Sequence, residues 1–374
     1  ASPWNGSTGG VVAFLAQNEV NNQGRITVEG LGFRGGRYVA DTSGLSACSE
    51  LDEVAKSGAQ KGEGLGGVAF YGETRTGRGN VANGAGGAVC VQSGGGGGGN
   101  AGPGGQGGQS ADGARPKGGL GGAALSLPVL TQLTFGGGGG AGHGAFDGGG
   151  LSGGAGGGVV FLRALQLSGS GAINASGGGV NTATEGGSGG GAGGSIYARI
   201  VRSAVCGAVS VNGGIGGTSS SARVGPGGGG GAGQLLFQSA PGGSCTVASK
   251  SILAKGAASG GQLIPAEGAY GAQAGQPSTA SELKYGFIIP TPPTVRTPEN
   301  GLYTNNVRPP VTGGSTLYPQ RAQPNTEVLL FIDGEEVGRV LADAQGDFTF
   351  ALPQDLAEGE HTVRAATAVD AVQS

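Results

Sequence analysis

Short apolar runs bounded by glycine recur along roughly the first 290 residues of the chain. Stretches such as Ile26-Thr27-Val28 and Val159-Val160-Phe161-Leu162 are β-branched and aromatic, which is strand chemistry. One pattern repeats: a glycine cluster, a short apolar strand, a polar stretch, a second short strand and another glycine cluster. It runs from Gly9 to Gly36, from Gly156 to Gly179 and from Gly193 to Gly217, and a looser copy opens at Gly233. The last three copies begin about 36 to 40 residues apart, a period that predicts stacked repeats. No segment carries a sustained helical apolar period with caps. The expected fold class is all-β, with a glycine-rich, solenoid-like stack of strands over residues 1–286.

The pattern changes near residue 286. GFIIPTPPTVRTP is punctuated by proline, and each proline drives its predecessor towards extended backbone, so 287–298 reads as a linker. Residues 299–374 then alternate as a small antiparallel β-sandwich. Glu327 to Ile332 is a strand, Asp333-Gly334 a two-residue hairpin turn, and Glu335 to Ala342 the return. Asp347 to Leu352 and His361 to Ala368 follow at the spacing of a sandwich. The Cys…Trp…Cys spacing of true immunoglobulin domains is missing, so only the architecture is implied.

Glycine supplies 91 of the 374 residues, and each costs roughly 0.5–1 kcal/mol against alanine in regular structure. Either the glycine tracts are loose linkers, or their bare backbones approach one another and exchange hydrogen bonds. The tracts 94–99, 136–140 and 227–231 hold no side chain that would hinder such approach. Extended glycine chains adopt a threefold helix of the polyproline II kind, and backbones crowd in this way in collagen. Long runs spaced regularly between strands favour the ordered alternative, polyglycine-II-like tracts held in place by the stacked strands.

Charged residues are only 12% of the chain, and 21 Lys and Arg stand against 24 Asp and Glu. That balance excludes a basic nucleic-acid binder and disorder driven by charge. No apolar run reaches the roughly 18 residues of a spanning helix, so no transmembrane segment is expected. From Gly118 to Ser195 only Asp147, Arg163 and Glu185 carry formal charge. Such a surface suits packing against another copy or an extracellular polysaccharide. A start at Ala1 without Met or an apolar leader points to a processed N-terminus. Four cysteines without CxxC spacing fit disulfides in an oxidising, extracellular setting. Cys206 and Cys245 each lie 11 residues after the opening of their copy's first strand. Equivalent positions on stacked strands sit about 4.8 Å apart, within reach of a bridge. The expected pairs are therefore Cys206–Cys245 and, by remainder, Cys48–Cys90.

No catalytic, cofactor-binding or metal-binding residues are assigned, and no enzyme activity is expected. Residues 62–67 match GxGxxG, but in so glycine-rich a chain accident alone yields roughly five such matches. GPGGGGGAG lacks the Gly-Lys-Ser/Thr ending of a phosphate loop. His143 and Asp147 have no second histidine or cysteine at metal spacing. Asp333, Glu335 and Glu336 read as a solvated turn rather than a Ca²⁺ site, and His361 as a surface or packing residue. Trp4, Phe33, Tyr38 and Tyr71 fit core packing better than a carbohydrate platform.

WNGSTGGVVAF, GLGFRGG, KGEGLGGVAFY, GGGGGGNAGPGGQGG and GPGGGGGAGQLL resemble the glycine-rich N-terminal region of large secreted bacterial surface proteins. Many of these are myxobacterial proteins labelled adventurous gliding motility proteins. GEEVGRVLADAQGDFTFALPQDLAEGEHTVRAATAVDA resembles one bacterial Ig-like repeat of the kind that follows in tandem. The resemblance implies export to the cell surface or beyond, and a structural role with self-assembly into oligomers or fibres. Adhesion to polysaccharide or another cell surface is the alternative. It supplies no catalytic residues.

Overall fold

In the computed structural model, glycine marks where each strand of the repeat begins. The structure describes residues 1–373 except 39–58, 68–70, 73–74, 111–116, 128–131, 145–148, 240–243, 248–251, 254, 264–267, 279–292, 315, 318–320, 323–326 and 370–371. Regular structure among the described residues is entirely strand, so the class is all-β. The chain divides into two compact units. One comprises Ala1–Phe237 and Cys245–Lys284, the other Gln238–Ser244 and Tyr285–Ser374.

In the first unit, three short strands make one rung. Val11–Leu15 (β1), Glu19–Asn21 (β2) and Arg25–Thr27 (β3) form rung 1. Val159–Ala164 (β4), Gln166–Ser168 (β5) and Ala172–Asn174 (β6) form rung 2. Ser195–Ile200 (β7), Ser203–Cys206 (β8) and Val209–Ser210 (β9) form rung 3. Gln234–Ser239 (β10), Ser244–Val247 (β11) and Ile252–Leu253 (β12) form rung 4. Each strand joins its counterparts, giving sheets in the orders β1-β4-β7-β10, β11-β8-β5-β2 and β12-β9-β6-β3. Parallel register sets Val12 beside Val160, and Val160 beside Ile196.

Each copy thus holds three strands, not the two read from the sequence. The additional strand lies in the polar stretch, where one apolar side chain, Leu167 in rung 2, points inward between polar neighbours. A three-residue strand with one buried position is too short to display alternation. Inward residues of all three sheets share one core, which includes Val160, Leu162, Leu167, Ile173, Ile196 and Phe237. Burial of each such large aliphatic or aromatic side chain stabilises the stack by about 1.5–3 kcal/mol. Between β3 and β4, residues 28–158 contain no named strand among the described residues, and many of the glycine tracts lie in this interval.

The second unit contains Thr294–Thr297 (β13), Val311–Gly314 (β14), Thr316–Leu317 (β15), Arg321–Ala322 (β16), Glu327–Ile332 (β17), Glu335–Leu341 (β18), Asp347–Phe350 (β19), Val363–Val369 (β20) and Val372–Gln373 (β21). An antiparallel sheet β13-β14-β19 and a second sheet β18-β17-β20-β21 enclose Val311, Val328, Leu330, Phe348 and Leu352. Residues 294–297 fall within the stretch expected as linker, yet they pair with β14, and Val295 packs on the core. Asp333 and Gly334 both take left-handed φ, 50° and 90°, as a tight hairpin turn between β17 and β18 requires.

Candidate functional site, a saturated glycine bundle

The tract 94–99 shows how the first unit uses its glycines. Its amides donate in a cycle of three. Gly94 and Gly97 donate to Gly108 and Gly105, Gly95 and Gly98 to Gly187 and Gly190, and Gly96 and Gly99 to Gly86 and Asn83. Its carbonyls accept in the same cycle, from Gly119 and Gly122, from Gly228 and Gly231, and from Gly140 and Gly137. Every bond measures 2.8–3.0 Å. Bonds that leave in three directions and recur every third residue have the symmetry of an extended helix with three residues per turn. The tract therefore has six neighbours, three as donor and three as acceptor.

Tracts 137–140, 189–192 and 228–231 repeat the arrangement. Gly190 donates to Gly228, Gly191 to Gly178 and Ala192 to Gly137, while Gly189, Gly190 and Gly191 accept from Gly154, Gly98 and Gly214. Gly228, Gly229 and Gly230 donate to Gly95, Gln273 and Gly214. A buried main chain must pair its N–H and C=O groups, and these tracts do so without a sheet.

Packing at this spacing leaves no room for side chains. A Cβ on Gly97 would lie 2.0 Å from the Gly229 oxygen, on Gly189 1.8 Å from the Gly96 oxygen, and on Gly137 1.8 Å from the Asn83 oxygen. Three of the alanines among the tracts, Ala59, Ala88 and Ala141, pack together. Buried polar side chains seal tract ends: Asn100 Nδ2 donates to the carbonyls of Gly193 and Gly194 at 2.8 and 3.1 Å.

One ion pair joins two neighbouring stretches of the bundle, whose main chains also bond through the Glu63 amide and the Arg34 carbonyl. Glu63 is 1% exposed and accepts from Arg34 Nε at 2.9 Å, Arg34 Nη2 at 3.1 Å, the Arg34 amide at 3.0 Å and Trp4 Nε1 at 3.2 Å. Arg34 Nη1 donates to the Asn5 carbonyl, and its guanidinium lies 4.4 Å from the centre of the Tyr71 ring. The hydrogen bonds to Glu63 hold Arg34 above the ordinary arginine range, and burial pushes the Tyr71 phenol up. Trp4 and Phe33 pack with Phe135, each with ring centroids 5.3 Å from it. These three rings pack on one another, and Trp4 stays half-buried.

No family model, curated protein or solved structure matches the chain.

The residues singled out in the sequence fall as follows. The GxGxxG stretch belongs to the bundle: Gly62 abuts the Gly138 carbonyl, and Glu63 is the carboxylate of the ion pair. His143 is buried in the bundle, and Asp147 lies outside the described residues. Strands β8 and β11, which carry Cys206 and Cys245, are neighbours in one sheet. Those two side chains, and Cys48, lie outside the described residues, while Cys90 is disulfide-bonded. Asp333 receives His361 Nδ1 at 2.7 Å and the Thr362 amide at 2.7 Å, and His361 Nε2 faces the Ala357 carbonyl at 3.0 Å. With acceptors at both ring nitrogens, His361 is held above the usual histidine value and Asp333 below the usual carboxylate value. The carboxylate is thus committed to the fold. Among the described residues no group of three or more His, Cys, Asp or Glu is placed to hold a metal. The second unit also has a cavity of about 410 Å³ lined by Leu302, Tyr303, Val307, Leu356, His361 and Val363. Tyr303 at its rim is 98% exposed.

Two substitutions test this reading of the bundle. Gly97→Ala, which forces a Cβ into a carbonyl, lowers unfolding free energy by on the order of 3 kcal/mol. Gly24→Ala, with nothing within 4 Å of its Cβ, changes it by less than about 0.5 kcal/mol. Denaturant unfolding of the full chain compares them, and equal tolerance would contradict close packing. Arg34→Ala strands the Glu63 carboxylate and costs about 3–5 kcal/mol. A loss below about 1 kcal/mol in the same assay would mean that the ion pair does not fasten the bundle.

Proposed function

We propose that the protein is a secreted structural component of the bacterial cell surface that forms or decorates an extracellular filament, sheath or layer. In this reading the first unit is a β-solenoid-like stack bearing a polyglycine-II-like bundle, and the second is a bacterial Ig-like module. The bridges Cys206–Cys245 and Cys48–Cys90 reinforce it in an oxidising space. The observation that carries the reading is the saturation of the central tracts. A body whose interior main chain is bonded on six sides resists deformation and presents little charge, which suits a building element. Among the described residues the most buried carboxylate, Glu63, is spent on holding Arg34 and Trp4, which agrees with a passive role rather than catalysis. The resemblance to large secreted surface proteins points the same way.

A second reading, an adhesin for extracellular polysaccharide, is favoured by the cavity beside Tyr303, since an exposed aromatic ring offers a sugar an apolar face. Immunogold electron microscopy of cells that make the protein tests the first reading. Label on the outer surface, on filaments or on a surface layer is expected. Label confined to the cytoplasm would overturn it. Glycan binding that disappears in Tyr303→Ala would shift the assignment to the adhesin.

A further inference from the structure

The two ends of the strand stack differ. In rung 4, Leu235 and Phe237 are each 1% exposed. In rung 1 the core is open: Phe14 stands in register with fully buried Leu162, yet is 41% exposed. Val12, Val20 and Ile26 are likewise only partly buried, although their register partners Val160, Leu167 and Ile173 are 0% exposed.

The main chain of rung 1 is open as well. The Gly10 carbonyl accepts from Val159 and the Ala16 amide donates to Arg163, so even-numbered residues of β1 bond to β4. By the alternation of a ladder, Val11, Ala13 and Leu15 turn their N–H and C=O groups away from β4. Bonds from Val28 to Asn174 and from Asn22 to Ser168 place the odd residues of β3 and β2 outward in the same way. None of these outward groups has a backbone partner among the described residues. Edges of this kind are normally blunted by charge, proline or a bulge, and a stack ends in a polar cap. Strand β1 reads VVAFL and has none of these devices, and Val11 and Leu15 are 49% and 76% exposed.

We infer that rung 1 is the contact surface for a second copy of this chain, joined edge to edge about a two-fold axis through Ala13. The proposal deepens the structural reading above and rests on it in naming the chain as its own partner. An antiparallel pairing centred on Ala13 sets Val11 against Leu15 of the second copy. It thereby satisfies every outward-bonding residue of β1 at once. On the core side Val12 meets Phe14 of the second copy, so two open cores close on each other. The same axis lays β2 of one copy along β3 of the other. Glu19 then comes opposite Thr27 of the second copy, Val20 opposite Ile26 and Asn21 opposite Arg25, so no two like charges face each other. Head-to-tail stacking would need an open rung 4, whereas Leu235 and Phe237 of β10 are buried there. The contact therefore closes at two copies, as a self-complementary interface must.

The test is the mass of the intact chain in solution, by sedimentation equilibrium or light scattering at micromolar concentration. A dimer is expected, twice the 35.6 kDa of one chain. Ala13→Pro removes a donor that points away from β4, and an edge strand tolerates it. It should retain the circular dichroism and melting behaviour of the parent, and weaken the dimer at least about tenfold. Leu15→Lys should do the same, whereas Leu341→Lys, in the second unit, should leave the dimer intact. A dimer indifferent to both rung 1 changes, or an open-ended series of masses, overturns the proposal. So does a single-chain mass, even one that takes up a synthetic peptide of residues 9–17, which would make rung 1 an acceptor for a foreign strand. Surface labelling of cells is a separate readout, so this contact and the structural reading fail independently.

Discussion

Close approach of bare main chains is the constraint on which the first unit depends. A carbonyl oxygen sits where the Cβ of Gly97, Gly137 or Gly189 would otherwise be, and the same holds through most of the tracts. Glycine is entropically the worst residue to order, so the bundle stands only because nearly every amide and carbonyl within it finds a partner. Removing one partner strands a group that water cannot reach. The arrangement is consequently cooperative, and it tolerates neighbours that run in either direction: 94–99 bonds in parallel to 187–190 and antiparallel to 105–108.

The strand stack supplies what glycine lacks, an apolar core with a defined register. Each tract feeds directly into a rung. Gly158, Gly194 and Gly233 donate to Val28, Ala175 and Val211, beyond the third strand of the rung before. The side chains of the stack thus fix where each tract begins and in which order the tracts lie. The Arg34–Glu63 pair adds a side-chain link within the bundle, near Trp4 and Phe33. Side-chain chemistry positions the bundle, and main-chain hydrogen bonding holds it.

Much of this order is written openly in the sequence, and part of it cannot be. Strands such as β4 and β17 carry several buried residues in one short apolar run, and their existence is readable from pattern alone. Strands β2 and β5 offer one inward apolar residue each, too little to stand out from a loop. Which tract lies beside which is hidden for a deeper reason. Glycine bears no side chain, so Gly97 carries no mark of its partnership with Gly105 rather than Gly187. Glu63 is masked differently: it sits inside a stretch that reads as repetitive glycine, and Arg34 is 29 residues away. Proline in 287–298 signals extended backbone, and extended backbone serves an edge strand such as β13 as well as it serves a linker. The open first rung is legible only as a contrast in burial between positions that the register equates.

Residue-resolved amide hydrogen–deuterium exchange of the full chain tests the central claim most directly. If main-chain pairing in three directions holds the glycine tracts, amides in 94–99, 137–140, 189–192 and 228–231 will be protected as strongly as those of β4 and β7. Exchange of those amides within seconds, while β4 and β7 stay protected, would contradict it.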